Sequence, residues 1–198
     1  MKKIGIGNKL YIAYGSNLNL GQMERRCPYA VPIGPAELSG YQLLFRGGNG
    51  CSVATVEPQE GSSVPVLLWE ITPRCEEALD HYEGWPRLYR KERVTVSVDG
   101  KPVEAMVYIM NSGQLGTPGE SYYNSIAVGY ETAGFDVAVL EEAVSVSKNL
   151  AKAEKHGYCL RCSSSINMED QFEHGADRLF CEVKQEYVGD NDSCKEFN

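Results

Sequence analysis

Short apolar stretches rich in β-branched and aromatic residues recur along the first 110 residues and predict strands. The first, Leu10–Ala13, stops before Gly15 and is predicted to be a buried strand that leads into a tight turn. Asp99-Gly100 separates the last two stretches and is typical of a β-hairpin. The other predicted strands are Tyr41–Arg46, Cys51–Glu57, Val64–Ile71, Tyr89–Val98 and Val103–Met110.

Helical patterns alternate with these strands and then follow them. The predicted helices run from Asn19 to Arg26, from Pro73 to Tyr82, from about Glu120 to Thr132, and onward from Asp136. In the second helix, Thr72 is the expected N-cap, proline occupies the tolerated first position, and Gly84 ends the helix. Together the elements predict an α+β domain: a closed or nearly closed small barrel of about six strands with outer helices.

A change of texture near His156-Gly157 predicts a domain boundary. Paired cysteines, a serine run and a polar acidic end follow it. We therefore expect one main domain at residues 9–152 and a Cys-rich C-terminal extension at residues 153–198.

Charge and hydropathy narrow the classes of partner. The chain has 198 residues, of which 42% are hydrophobic, and its formal net charge is −8 without any run of Lys or Arg. This balance argues against nucleic acid and anionic membrane as partners. Because neither a signal peptide nor a bilayer-length apolar stretch is visible, we expect a cytoplasmic protein. Its oligomeric state is left open.

The seven cysteines are an odd number, and their spacing suits reduced thiols better than a disulfide framework. Cys27, Cys51 and Cys75 are scattered singly, which suits reduced thiols. In the extension, Cys159 and Cys162 have zinc-ligand spacing. Cys181, Cys194 and the substitute His174 are the further candidate ligands. The alternatives are a structural zinc site, or ordinary reduced thiols on a tail that docks through Leu179, Phe180 and Val183.

Glu83 is the first candidate for chemistry. It lies at the C-terminal end of the predicted Pro73–Tyr82 helix, where the helix dipole disfavours a carboxylate, and its neighbours Tyr82, Trp85 and Pro86 solvate it weakly. Both effects raise the pKa of a carboxyl group, as a general base that later acts as an acid requires. On the residues alone, a solvated glutamate beside a helix-ending glycine is the alternative.

A second candidate is the turn formed by Tyr14, Gly15, Ser16 and Asn17, which joins a predicted strand to a predicted helix. Backbone N–H groups at such a place are unpaired and can bind an anion or a carbonyl oxygen. Gly, Ser and Asn are also ordinary turn residues, so a purely structural turn is the alternative. Tyr89 and Tyr122 are by themselves as consistent with core packing as with function.

Three segments together resemble the γ-glutamylcyclotransferase-like family. Residues 11–18, YIAYGSNL, are similar to its opening Y-x-x-Y-G-S-N-L pattern, and residues 79–84, LDHYEG, to its L-D-x-x-E-G segment. Tyr89-Arg90 follows as in small bacterial members. Pro118 and Tyr122 resemble a P-x-x-x-Y segment at the start of a late helix, although the adjacent Tyr123 leaves the register open by one residue.

The resemblance, which spans about residues 9–150, implies a mixed barrel with a pocket at one end. It also implies a reaction, in which the α-amine of a γ-glutamyl group attacks its own γ-carbonyl to form 5-oxoproline and release an amine. Glu83 would be the general acid/base, and no metal or organic cofactor would be required. The substrate-binding residues would be Tyr14, Gly15, Ser16, Asn17, Tyr89 and Tyr122. Loops 46–50 and 113–119 would hold the leaving group.

The sequence leaves three other interpretations of the protein's function open. The same cyclisation can unmask γ-glutamyl-protected amines in a specialised pathway or act on γ-glutamylamine crosslinks. A relative without activity can use the pocket to bind γ-glutamyl metabolites. An interaction protein can instead use the Cys-rich extension, an interpretation that activity surviving truncation near residue 152 would count against.

Overall fold

The computed structural model describes residues 5–48, 50–155, 165–168, 178–181 and 186–188. The chain forms two compact units, Met1–Lys148 and Asn149–Asn198. The helix Val137–Lys155 runs through the boundary between them. The division that the sequence predicts near residue 152 therefore falls inside a helix, and it stays a prediction.

The first unit is a closed barrel of five strands in the order β1-β3-β2-β4-β5. β1 pairs antiparallel with β3 and parallel with β5, so the barrel is mixed and the predicted α+β class is confirmed. In chain order the elements are β1 (Lys9–Ala13), a 3-10 turn (Ser16–Leu18), α1 (Leu20–Arg26), β2 (Val31–Arg46), β3 (Val53–Ile71), α2 (Pro73–Glu83), β4 (Tyr89–Val98), β5 (Lys101–Met110), α3 (Glu120–Ala133) and α4 (Val137–Lys155).

The barrel has five strands where the sequence predicts about six, because two predicted strands are one. Cys51–Glu57 and Val64–Ile71 both belong to β3, which continues through the polar segment between them. Its partner β2 begins ten residues before the predicted Tyr41. Prolines and glycines in this added part of β2 hide it from sequence-based prediction. The paired strands accommodate them with irregularities at Pro32/Gly34 and Ser39/Tyr41.

Local signals set the ends of α2 as predicted. The Thr72 side chain accepts a hydrogen bond from the Cys75 backbone N–H, and Pro73 occupies the first turn. Gly84 ends the helix in the left-handed region at φ 64°, which suits glycine. This cap fixes where Glu83, the last helical residue, points. The predicted hairpin at Asp99-Gly100 is also confirmed, with φ of 50° and 73° at the two residues.

The core fills the inside of the barrel and the space under α3 and α4. Ile12, Phe45, Val56, Leu68 and Val107 come from all the barrel strands except β4 and are completely buried. α4 is held to β2 by a buried serine, because Ser147 Oγ accepts the Phe45 N–H at 2.9 Å. This packing makes the barrel a rigid frame for the side chains at its end.

The second unit contains an antiparallel three-stranded sheet in the order β6-β7-β8. Its strands are β6 (Ser165–Met168), β7 (Arg178–Cys181) and β8 (Glu186–Val188). Among the residues that the structure describes, no helix is long and apolar enough to cross a membrane.

Candidate active site

A pocket of about 200 Å³ lies where β1 ends and where β3 and β4 begin. It brings together every residue that the sequence nominates for catalysis or substrate binding. These residues are Tyr14, Gly15, Ser16, Asn17, Glu83, Tyr89 and Tyr122. Tyr11, Val53, Ala54, Tyr82, Leu88 and Tyr108 complete the lining.

A larger groove of about 410 Å³ lies on another part of the barrel, between β1, α2, β4 and β5. Its lysines are paired with carboxylates, since Lys9 and Lys91 both bind Glu76, at 2.6 and 2.7 Å, and Lys91 also binds Asp80 at 2.7 Å. Charges paired in this way have a structural explanation, so the smaller pocket is the better candidate for chemistry.

Glu83 presents its carboxyl group to the pocket from the end of α2. Its Oε1 accepts a hydrogen bond from Asn17 Nδ2 at 3.0 Å. Burial raises the pKa of this carboxyl from 4.5 to about 7, although the Arg26 charge and the Asn17 hydrogen bond both lower it. A carboxyl group with this pKa can take up and return a proton near neutral pH.

The direction of this pKa shift agrees with the sequence, and so does its largest cause, weak solvation of the carboxyl group. The helix end and the bulky neighbours were the expected causes. Trp85 is instead 46% exposed and lies over Lys91, with the ammonium 4.7 Å from the ring centroid. Burial in the pocket is the largest cause of the raised pKa, and of the expected neighbours Tyr82 lines this pocket.

Asn17 connects Glu83 to two residues that sequence reasoning did not nominate. Asn17 Nδ2 also donates to the Tyr11 hydroxyl at 2.9 Å, and Asn17 Oδ1 accepts from Arg26 Nη1 at 2.6 Å. Tyr11 opens the Y-x-x-Y-G-S-N-L motif, so the motif contained a signal for it. Arg26 lies at the end of α1, outside any motif, and the helical geometry alone brings it to the site.

Gly15 precedes the 3-10 turn, with φ −116° and ψ −140°, and it lies against the wall of the pocket. A Cβ atom on Gly15 would lie 3.2 Å from Ala54 Cβ and 3.3 Å from the Tyr122 hydroxyl. Both contacts are tight, so a side chain here pushes against the wall of the pocket.

The pocket tyrosines use their hydroxyl groups differently. Tyr89 donates to the Ala54 carbonyl at 2.9 Å and Tyr14 to the Tyr108 carbonyl at 2.5 Å. The Tyr122 hydroxyl instead accepts the backbone N–H of Ala54 at 3.1 Å. Burial raises the pKa of Tyr122, so this hydroxyl keeps its proton and can donate it.

Tyr122, and not the adjacent Tyr123, lies in the pocket, which closes the question of register that the sequence left open. In the part of the chain that the structure describes, the loops predicted to hold the leaving group do not line the pocket. Within the described residues, they bind each other instead, with Gly47 N–H to Gln114 O at 2.8 Å and Gly50 N–H to Thr117 O at 3.1 Å. The pocket is lined instead by Val53, Tyr82 and Leu88.

The zinc hypothesis concerns a different part of the chain. In the part that the structure describes, no three His, Cys, Asp or Glu side chains are grouped so that they could hold a metal ion. Cys159, Cys162, His174 and Cys194 lie outside the described residues, as does the side chain of Cys181. A structural zinc in the extension therefore stays a prediction, and so do its docking alternative and the absence of a cofactor.

The raised pKa of Glu83 predicts a pH-dependent cost in stability. Between about pH 4.5 and 7, the folded protein keeps a proton on Glu83 that the unfolded chain has lost, so rising pH favours unfolding over this range. Glu83→Gln removes that cost. We expect the variant's gain in unfolding free energy over wild type to be about 2–3 kcal/mol greater at pH 8 than at pH 5.

Urea unfolding of both proteins at these two pH values measures the difference. Glu77→Gln makes the same chemical change at an exposed position of α2 and should show no such dependence. An equal gain at pH 5 and pH 8 would contradict the burial of the Glu83 carboxyl.

Comparisons with known proteins point to one family. The family model described as gamma-glutamyl cyclotransferase, AIG2-like, matches residues 11–125, a range that contains Glu83, the 14–17 turn and Tyr122. The gamma-glutamylcyclotransferase of Bos taurus is 28% identical over 71% of this chain and 79% of its own length. That of Homo sapiens is 26% identical over the same shares. A solved gamma-glutamyl cyclotransferase structure matches with a TM-score of 0.63 and 25% identity, covering 69% of this chain and 86% of its own.

Proposed function

The chain belongs to the gamma-glutamyl cyclotransferase, AIG2-like family and is an enzyme of γ-glutamylcyclotransferase type, and we propose that it converts a γ-glutamyl group to 5-oxoproline, with Glu83 as its general acid/base. One observation carries the assignment of Glu83. Its carboxyl group, with a pKa of about 7, lies in a small pocket beside the turn formed by residues 15–17.

Glu83 moves protons between the two nitrogens of the reaction. The α-nitrogen starts as ammonium, attacks the γ-carbonyl carbon as an amine, and ends as the N–H of the lactam. Two protons therefore leave it while the bond from the γ-carbon to the leaving nitrogen breaks, and the leaving nitrogen gains two protons. Glu83 accepts each proton from one nitrogen and delivers it to the other, so no water is consumed. Ring closure itself is fast, because nucleophile and electrophile share one molecule.

The turn and Tyr122 supply hydrogen-bond donors to the substrate. The first N–H groups of the Ser16–Leu18 turn precede its internal hydrogen bonds, so this end suits the α-carboxylate of the glutamyl group. Tyr122 accepts the Ala54 backbone N–H and has its own proton left to donate to a substrate oxygen. Tyr89 donates its proton to Ala54, so its role is to position the wall of the pocket.

The rim of the pocket favours an apolar leaving group. At about 200 Å³ the pocket is smaller than the usual 300–1,000 Å³ of ligand sites, which suits the glutamyl part alone. Tyr82 and Leu88 line its mouth and are 45% and 48% exposed, so they offer apolar surface to the part that extends outside. Among γ-glutamyl amino acids we therefore expect leucine and phenylalanine to be released with a higher kcat/KM than aspartate.

A panel of γ-glutamyl compounds tests both statements. It contains the γ-glutamyl derivatives of leucine, phenylalanine, aspartate and ethylamine, and 5-oxoproline is followed by mass spectrometry. α-Glutamyl-leucine is the matched control, because it has the same composition but no γ-amide to break. We expect 5-oxoproline from the γ-linked compounds and leucine release from the γ-linked isomer alone. Absence of 5-oxoproline from all of them would refute the function, and a preference for aspartate would refute the role of the rim.

The same panel addresses the specialised alternative. Turnover of the ethylamine derivative alone would favour an enzyme that unmasks γ-glutamyl-protected amines. The interpretation as a metabolite-binding protein without activity is disfavoured by the family assignment. Truncation near residue 152 addresses the third interpretation, because activity that survives it would count against an interaction role of the extension.

A further inference from the structure

We infer that Arg26 is a positioning residue for Glu83. It holds the Asn17 amide in the orientation that donates to the catalytic carboxylate, and it also holds Tyr82 at the same pocket. This inference rests on the proposed role of Glu83. Arg26 ends α1 and lies nine positions beyond Asn17 in the sequence, so a contact through the folded helix connects the two.

Three contacts fix the guanidinium group of Arg26. Nη1 donates to Asn17 Oδ1 at 2.6 Å, and Nη2 donates to Gln22 Oε1 at 2.7 Å. The guanidinium carbon also lies 3.7 Å from the centroid of the Tyr82 ring, which is a close cation–π contact. A planar group with separated donors can make all three contacts at once, whereas a lysine ammonium cannot.

The orientation of the Asn17 amide follows from this arrangement. Since Arg26 occupies Oδ1, the two N–H bonds of Nδ2 face the Tyr11 hydroxyl at 2.9 Å and Glu83 Oε1 at 3.0 Å. A flipped amide would put Oδ1 against the Glu83 carboxylate and its N–H bonds against the guanidinium group. Both contacts would be repulsive, so the charge of Arg26 selects the orientation that supports the carboxylate.

Tyr82 extends the same effect to the substrate-binding turn. Its ring stacks on Arg26, and its hydroxyl lies 3.1 Å from Ser16 Oγ. The end of α2, which carries Glu83, is thereby held against the turn that carries Asn17. Loss of Arg26 should therefore let Glu83 move relative to the turn formed by residues 15–17. It should also let the Asn17 amide rotate.

The charges around Glu83 give Arg26 a second effect. The tyrosines whose charged forms would interact with Glu83 are Tyr11, Tyr14, Tyr89 and Tyr122, and burial raises the pKa of each, so they stay neutral. Lys91, on the neighbouring β4, is engaged by Glu76 and Asp80. The Arg26 cation lowers the pKa of Glu83, so its removal should raise that pKa further.

Kinetic pH profiles of three variants test the inference. In Arg26→Gln, the acidic limb of kcat/KM should move upward by about one pH unit or more, because the carboxylate loses its nearby cation. We also expect kcat to fall by about tenfold or more. Arg26→Lys keeps the charge, so its limb should stay near that of wild type while kcat still falls. Arg25→Gln is the matched control: it removes an exposed charge from the same last turn of α1 and should change neither quantity.

A direct titration separates this inference from the proposed reaction. The carboxyl carbon of Glu83 is titrated by ¹³C NMR in wild type and in Arg26→Gln, a readout that needs no turnover. An unchanged titration midpoint in a folded variant would overturn the inference, and so would a fall in kcat without any shift of the limb. If Arg26→Gln does not fold, Arg26→Lys decides, because kcat equal to wild type in that variant would also overturn the inference. Failure of the proposed reaction would instead appear as no 5-oxoproline from wild type with the midpoint still shifted.

Discussion

Glu83→Gln should lower the turnover of γ-glutamyl substrates by roughly two to four orders of magnitude, which is the usual contribution of a general acid/base. The amide cannot accept the proton of the α-ammonium group, so the nucleophile stays blocked. Size is preserved, and the Gln oxygen can still accept from Asn17 Nδ2, which now lies 3.0 Å from the carboxylate. We therefore expect the variant to fold and to bind substrate with similar affinity.

Steady-state release of 5-oxoproline and calorimetric binding of the same substrate measure the two quantities separately. Glu77→Gln, in the same helix but exposed, should keep wild-type turnover. Near-normal turnover of the Glu83 variant would show that another group carries the protons. Loss of binding together with turnover would show instead that the carboxylate holds the substrate.

Gly15→Val should abolish substrate binding at a cost of about 1–3 kcal/mol in unfolding free energy. The first atom of the new side chain would already lie 3.2 Å from Ala54 Cβ and 3.3 Å from the Tyr122 hydroxyl. The two further methyl groups have to displace Tyr122 or enter the pocket. Either outcome removes the place for the glutamyl carboxylate and the donor that faces it.

The Michaelis constant and the urea midpoint of the variant separate these effects. Gly21→Val is the matched control, because a Cβ at Gly21 meets its nearest neighbour, Asn19 Oδ1, at an ordinary 3.5 Å. The control should leave the Michaelis constant unchanged. An unchanged Michaelis constant in Gly15→Val would mean that the substrate does not lie against this turn.

The elements that form locally were predictable from the sequence. α2 begins and ends where Thr72, Pro73 and Gly84 place it, because caps act within one helical turn. The hairpin at Asp99-Gly100 has the same local origin. The long strands β2 and β3 were harder to predict, since prolines and glycines that normally interrupt a strand are tolerated once a partner strand accommodates them as bulges.

The sequence by itself determined that Glu83 ends a helix, that Gly15 to Asn17 form a turn after a buried strand, and that both belong to one family pattern. Only the tertiary structure determined how close these residues lie to each other and which neighbours set their properties. The pKa of Glu83 is raised chiefly by its burial in the folded pocket, and Gly15 leaves space that Ala54 and Tyr122 would deny to a side chain. The folding of α1 brings Arg26 into contact with Asn17 in the site. Electrostatic and steric effects depend on distances between side chains that are remote in sequence, and closure of the barrel is what sets those distances.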